Sequence, residues 1–290
     1  MNDVKIYDVR HLEGDSAFLL DDGKTAILYD SGFGFTGFKV AENIKNILGN
    51  RELDYIFLTH SHYDHALGSA YVLQYYKKAK VVAGKYATDI FKRDSVKKVM
   101  KELDSKFAHT CGVDEYEFLG DHLRVDIPCE DGDIIKAGDM QFEVINLPGH
   151  TKCSVGYYCK EKQLLLSAET LGVYDGEKTI VPSYLVGYEM TMQSIERVLS
   201  LDIKKLLAPH YGILNEEQTE YYLTNIKLAN ESAAREIIES KKAGKTDDEI
   251  IEAFKDRYWH GYIRKTYPID AMELNTSITI NLICRELIKE

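Results

Sequence analysis

Four potential metal ligands crowd into six residues, His60-Ser61-His62-Tyr63-Asp64-His65, directly after the apolar run Tyr55-Ile56-Phe57-Leu58-Thr59. An apolar run of this length reads as a strand buried on both faces. Packing gives no reason to end such a strand in three imidazoles and a carboxylate. In an extended segment alternate residues share a face, so His60 and His62 can point to one centre. Where the chain turns into the helix beginning near His65, Asp64 and His65 can swing to a second centre nearby. Three further ligand-type residues follow apolar strand runs in short polar segments: His150, Glu169 after Leu164–Ala168, and His210 after Lys205–Ala208. Strands that end this way line their ligands along one edge of a sheet, where open α/β folds bind. Imidazole with carboxylate suits Zn(II), Fe(II) or Mn(II), and the lack of cysteine argues against a structural thiolate zinc site.

The rest of the chain alternates strand and helix signals. Val4–Val9, Ser16–Leu20 and Ala26–Tyr29 read as strands, with Asp21-Asp22-Gly23-Lys24 as a hairpin turn. Val40, Ala41, Ile44, Ile47 and Leu48 recur at helical spacing, and Gly49-Asn50 closes that helix. Helices are expected over Ala66–Tyr76 and from about Tyr86 to Phe107, then strands from about Leu123 to Leu147. From Asn215 onward the pattern is helical only. Asn215 with Gln218, Thr246 with Glu249 and Asp270 with Glu273 have capping-box spacing. Apolar stripes run through Tyr222, Ile226, Ala229, Ala233 and Ile237, and through Leu274, Ile278 and Leu282. The expectation is an α/β body over residues 1–214 and a helical appendage over 215–290.

Charge narrows the partners. With 36 basic and 47 acidic residues the net charge is −11, the wrong sign for gripping a phosphate backbone, so no nucleic acid is expected. The N-terminus lacks the apolar core of a signal peptide, and no uncharged run approaches the roughly 20 residues that span a bilayer. Neither a membrane nor export is therefore expected. The five cysteines are odd in number and scattered, without a CxxC pair, which fits a reducing cytoplasm. Cys153, three residues after His150, reads as a buried thiol. Beyond a small-molecule substrate, a homodimer is the partner left open.

His60-Ser61-His62-Tyr63-Asp64-His65 resembles the HxHxDH signature of the metallo-β-lactamase superfamily, and the likeness continues in order along the chain. Asp30-Ser31-Gly32 resembles its first motif, Pro148-Gly149-His150-Thr151 its third, Ser167-Ala168-Glu169-Thr170 its fourth and Pro209-His210-Tyr211-Gly212 its fifth. The resemblance implies a four-layer αβ/βα sandwich, with the metals at one edge of the paired sheets and the helical appendage outside it. It also implies that His60, His62 and His150 hold one metal. Asp64, His65 and His210 would hold a second, with Glu169 in the bridging place and Asp30 in support. Two divalent ions are the implied cofactors, zinc first, with iron or manganese as alternatives. The family's fourth motif normally carries aspartate. Glu169 adds a methylene, which moves the carboxylate by about 1.5 Å.

The resemblance implies a hydrolase in which a hydroxide generated on the metals attacks an ester-type carbonyl, with Asp64 orienting it and moving its proton. The complete HxHxDH pattern is similar to glyoxalase II-type thioesterases and lactonases, so a thioester or lactone is the expected substrate. The alternatives are an iron-dependent redox enzyme (a sulfur dioxygenase or diiron oxygen chemistry) and a metal-loaded effector with weak turnover. Tyr63, Tyr174, Tyr184, Tyr188 and Tyr211 flank the motifs, where a hydroxyl could polarise a carbonyl. Trp259, His260, Tyr262 and Tyr267 lie in a segment expected to cover part of the substrate entrance. His11, His109 and His122 have no ligand partners in sequence.

Overall fold

The computed structural model describes residues 4–288, so the first residues of the N-terminal stretch and the last two of the helical tail lie outside the described residues. Strands β1 (Lys5–Asp8), β2 (Phe18–Asp21), β3 (Ala26–Tyr29), β4 (Tyr55–Phe57), β5 (Lys80–Gly84) and β6 (Ile127–Cys129) form one sheet in chain order. Its pairs from β3 to β6 are parallel. In the second sheet β7 (Ile134–Ala137), β8 (Met140–Asn146), β9 (Val155–Cys159) and β10 (Leu164–Leu166) run antiparallel. A small hairpin of β11 (Val173–Tyr174) and β12 (Ile180–Val181) interrupts this order. Then β13 (Lys205–Ala208) pairs parallel to β10, and β14 (Gly212–Ile213) closes the edge.

The inward-facing residues of the two sheets share one buried cluster, among them Phe18, Ile27, Tyr29 and Phe57 from the first and Phe142, Val144, Tyr157 and Leu166 from the second. On the outer face of the first sheet lie helices α1 (Gly37–Leu48), α2 (Tyr63–Ala66), α3 (Ser69–Tyr75), α4 (Lys85–Phe91) and α5 (Asp94–Thr110). On that of the second lie α6 (Tyr188–Leu199) and the first half of α7 (Glu216–Lys242). This is the expected four-layer α/β/β/α sandwich. The rest of α7 packs with α8 (Asp247–Tyr258), α9 (Gly261–Thr266) and α10 (Ile269–Leu287) around Ile237, Phe254, Ile263 and Ile280, against the β11–β12 hairpin.

Two tyrosines tie the sheets together where the chemistry-bearing loops begin. The Tyr29 hydroxyl on β3 donates to the Ser167 carbonyl at 2.7 Å, and the Tyr157 hydroxyl on β9 donates to the Leu58 carbonyl at 2.7 Å. Both rings are fully buried. A buried hydroxyl without a partner is costly, so these bonds fix the distance between the strand ends that carry His60 and Glu169.

Local chemistry corrects several sequence expectations. The helix expected over Ala66–Tyr76 is two pieces, α2 and α3, jointed at Gly68. A Cβ at Gly68 would lie 1.9 Å from the Ser31 carbonyl oxygen, so the joint sits hard against the loop after β3. Gly68→Ala should therefore destabilise the fold by about 3 kcal/mol or more, read as a fall in the urea midpoint. The charged helix divides likewise, into α4 and α5. The boxes at Asn215 and Thr246 form, but Asp270 does not cap: Pro268 precedes α10 and Asp270 falls in its first turn, paired with Lys106. Of the expected stripe Leu282 is buried, Ile278 is partly buried and Leu274 is half-exposed; α10 also buries Met272, Thr276, Thr279, Ile280 and Ile283, because it packs on α6, α7 and α8 together.

Asp104 on α5 is buried and accepts the amides of Gly34 at 2.9 Å and Phe35 at 3.2 Å. Burial raises its carboxyl to about 6 despite those bonds. A carboxyl raised on folding stabilises while protonated and loses that contribution as pH rises through the folded value. Asp104 should thus cost about 3 kcal/mol between pH 4 and 7. Asp104→Asn should flatten that part of the profile, seen as the difference between the two proteins' urea midpoints at pH 4.5 and 8.

Candidate metal centre

The loops that follow β3, β4, β10 and β13, together with the β8–β9 connection, converge at one edge of the sandwich. They carry Asp30, the His60–His65 segment, Glu169, His210 and His150 respectively. Parallel pairing of β3 with β4 and of β10 with β13 places those strands' C-terminal ends side by side. Donor atoms of His60, His62, His150 and Glu169 lie within 4.8 Å of one another, and so do those of Asp64, His65 and His210. Glu169 touches both groups. Its Oε2 is 2.8 Å from His150 Nε2 and 3.6 Å from the Nε2 atoms of His60 and His65, while Oε1 is 3.2 Å from His210 Nε2. All seven residues singled out in the sequence are therefore brought together, and Glu169 stands between the two groups.

The partners of the outer ring nitrogens decide how the imidazoles present themselves. His150 Nδ1 meets the Ser183 carbonyl at 2.7 Å, and His210 Nδ1 meets the Gly14 carbonyl at 2.9 Å. A carbonyl only accepts, so each Nδ1 carries the proton and each Nε2 presents a lone pair inward. His65 Nδ1 donates to Asp30 at 2.7 Å. His60 Nδ1 is 3.0 Å from the Thr59 hydroxyl, which itself donates to Asp30. Asp30 is fully buried and also takes the Thr59 amide at 2.8 Å and the Ser16 hydroxyl at 3.0 Å, the supporting place expected for it.

The inward atoms then face each other without donors. His60 Nε2 is buried with no hydrogen-bond partner. His62 Nδ1 approaches His150 Nε2 to 2.9 Å, and His65 Nε2 approaches His210 Nε2 to 3.1 Å. Lone pairs aimed at one another at such distances repel unless a proton or a cation lies between them. Donors around a tetrahedral zinc with bonds near 2.05 Å sit about 3.3 Å apart, within the 2.8–3.6 Å seen around Glu169 and the histidines. The donor set fits two divalent ions.

Electrostatics agree with that fit. Burial, then the neighbouring imidazoles, push His60 well below its ordinary range and His62 to about 3, so both rings are neutral and free to donate lone pairs. Burial also lowers His65, but Asp64 and Asp30 outweigh it and raise the ring overall. Burial works against ionised Glu169 too. The imidazoles of His150, His210 and His65 gathered around it outweigh burial and hold its carboxyl well below the usual range. Asp64 is the more open carboxylate, its side chain 19% exposed, with Oδ2 3.6 Å from His65 Nε2 and 3.8 Å from His210 Nε2.

The flanking candidates divide. Cys153 is buried, with Sγ 3.2 Å from the Ser61 hydroxyl, and belongs to neither donor group. Tyr63 packs half-buried on Phe33, Tyr174 packs among Tyr211, Tyr221 and Tyr222, and Tyr184 packs on Tyr188. None of those five flanking hydroxyls is bonded to the constellation among the described residues. Of the C-terminal aromatics, Tyr262 donates to the His210 carbonyl at 2.8 Å. Burial and the charges of Glu169 and Asp64 raise the Tyr267 hydroxyl, which is bonded by Asn275. Trp259 supports Tyr267 from behind, its indole N–H on the Tyr267 carbonyl at 2.9 Å. His260 is exposed and turned to the Arg257 carbonyl, so it plays no part at the entrance. Nothing in the motif pattern marks Arg10, Gly14, Tyr29, Tyr157 or Ser183. Tyrosine at an inward strand position beside a motif is the one signal the sequence offers for them, and it covers two.

The family model of the metallo-beta-lactamase superfamily matches residues 13–210. The acyl-coenzyme A thioesterase MBLAC2 of Gallus gallus is 26% identical over 168 residues, covering 55% of this chain and 57% of that protein. The chain thus spans little more than half the length of that relative. Hydroxyacylglutathione hydrolase GloC of Haemophilus influenzae is 24% identical over 169 residues, 58% of this chain and 71% of that protein. Among solved structures, metallo-beta-lactamase family protein TTHA1429 from Thermus thermophilus superposes with a TM-score of 0.59 at 18% identity. That superposition covers 95% of this chain and 90% of the other.

Proposed function

The chain belongs to the metallo-beta-lactamase superfamily, and from that premise we propose a dinuclear metal-dependent hydrolase of a small acyl thioester. The observation that carries the reading is the pair of donor groups sharing Glu169, with an unpartnered buried nitrogen on His60. Two divalent ions there would acidify water and polarise an acyl carbonyl.

The protein's own groups supply the rest. Asp30, the Ser183 carbonyl and the Gly14 carbonyl lock His65, His150 and His210 in the tautomer that presents Nε2. Orientation is fixed before substrate arrives, so little is lost to reorganisation. Asp64, the more exposed carboxylate, gives Oδ2 to the donor group beside His65 and His210, which leaves Oδ1 to orient the attacking water, take its proton and return it to the leaving thiolate. Glu169, Asp64 and Asp30 gather three carboxylates around the imidazoles. Two dications held by these residues would more than offset the carboxylates, the sign that favours an oxyanion in the transition state. Tyr63, the residue before Asp64, packs on Phe33 and keeps part of its ring exposed as apolar surface for an acyl group.

Thioesters are favoured over lactones by the relatives. The names acyl-coenzyme A thioesterase and hydroxyacylglutathione hydrolase both denote cleavage of an acyl–sulfur bond. The test is metal content per chain after purification without added metal, with thiol release from acyl-coenzyme A and acylglutathione panels alongside a lactone panel. Two ions per chain with thiol release that a chelator abolishes supports the reading. A metal-loaded protein inert on thioesters overturns it, and stoichiometric iron with oxygen uptake on a persulfide replaces it with the redox alternative.

A further inference from the structure

His210 sits at the centre of a three-residue turn closed by the Tyr211 amide on the Pro209 carbonyl at 2.8 Å, with a central φ of +63°. A γ-turn with positive central φ is rare and strained. A non-glycine residue stays in that region only where its surroundings over-determine it. Here they do. The His210 carbonyl accepts the Tyr262 hydroxyl at 2.8 Å and the Arg10 guanidinium, while its ring donates to the Gly14 carbonyl at 2.9 Å.

Arg10 is itself held on every side. Its Nε and Nη2 reach Asp8 at 2.9 and 2.6 Å, and its Nη1 reaches the Glu13 carbonyl at 2.8 Å and the Tyr262 hydroxyl at 3.0 Å. The guanidinium also lies 4.9 Å from the centre of the Phe18 ring. Tyr262 packs edge-on against Tyr211, the residue after His210, at 5.4 Å. The two holding segments press on each other as well: a Cβ at Gly14 would come within 2.8 Å of the Thr266 carbonyl oxygen. One segment precedes the first motif and the other lies in the C-terminal helices, so the residues closing on His210 come from outside the metal-binding motifs altogether.

We propose that Arg10 and Tyr262 are positioning residues of the second donor group, holding the His210 turn in its strained form so that Nε2 faces His65 and Asp64. This rests on the metal-centre reading above. Without the clamp the turn relaxes toward negative φ, and the imidazole swings away from its partners while His60, His62 and His150 stay in place. The C-terminal helices thereby act on metal affinity through the backbone of one ligand rather than through a ligand of their own.

The test is zinc or cobalt(II) titration of the full chain against a competing chelator, with ions per chain and the cobalt absorption bands as readouts, in Tyr262→Phe, Arg10→Met and Arg10→Lys. Tyr262→Phe removes one oxygen from a ring that keeps its packing, so it decides the matter even if an Arg10 variant folds poorly. The expected result is a second ion bound about tenfold more weakly in Tyr262→Phe and in Arg10→Met, an unchanged first ion, partial recovery in Arg10→Lys, and a metal-free melting temperature in Tyr262→Phe close to that of wild type. Wild-type affinity for both ions in Tyr262→Phe overturns the proposal, as does an equal weakening of both. If the wild-type chain itself holds fewer than two ions, the metal-centre reading fails first and takes this proposal with it.

Discussion

His60→Ala should empty the first donor group of its ion and cut thioester turnover by at least about 10³-fold. A four-donor zinc site is worth about 10–16 kcal/mol, or roughly 3–4 kcal/mol per ligand, which is about 10² to 10³ in affinity. The loss of turnover is larger than the loss of affinity, because the ion's absence also removes the polarising charge. The fold should survive. The Thr59 hydroxyl keeps its bonds to Asp30 at 3.0 and 3.1 Å, and the strand end stays tied by Tyr157. Metal per chain and the urea midpoint, measured together, separate the two effects. A His60→Ala protein with full metal content and full activity would sink the site assignment.

The second large effect is expected at Glu169. Its carboxylate is buried at the junction of both groups, within 3.6 Å of His60, His65, His150 and His210. Glu169→Ala should lose the second ion before the first, since that centre has two histidines against three. Turnover should fall by about 10²-fold or more, as expected when an ion that clamps the reacting group is lost. The extra methylene is used here to span the two groups. Glu169→Asp, about 1.5 Å shorter, should therefore bind the second ion with intermediate affinity rather than restore an ordinary site. Unchanged two-ion occupancy in the Ala variant would show that Glu169 is no ligand.

What can be read from the sequence follows from how local each signal is. His60, His62, Asp64 and His65 announce themselves because four ligand-type residues share six positions, and the strand run before them fixes where they emerge. His150, Glu169 and His210 need the motif order as well, since one polar residue after a strand is ordinary. Ser183 and Gly14 are illegible because they act through backbone carbonyls, which every residue owns. Arg10 and Tyr262 meet His210 across 200 and 52 residues, a pairing no local pattern encodes. The buried face of α10 departs from its apolar stripe for a related reason. A stripe of three apolar residues defines a face only for a helix with one neighbour, and α10 has three. His260 shares a segment with Tyr262 and Tyr267, but proximity in sequence says nothing about which way a side chain turns at a helix start.

Each donor group draws on both sheets. The first takes His60 and His62 from the loop after β4 but His150 and Glu169 from the second sheet; the other takes Asp64 and His65 from one side and His210 from the opposite one. Neither half of the sandwich can assemble a group by itself. An ion held by these residues is consequently a ligand of the docked arrangement alone, and mass action makes it a staple between layers. At a free concentration 1,000 times its dissociation constant, one such ion adds about 4 kcal/mol against separation of the sheets. Metal starvation would then shorten the protein's lifetime as well as silence it, because ions bound there for chemistry would also hold the two layers closed against proteolysis.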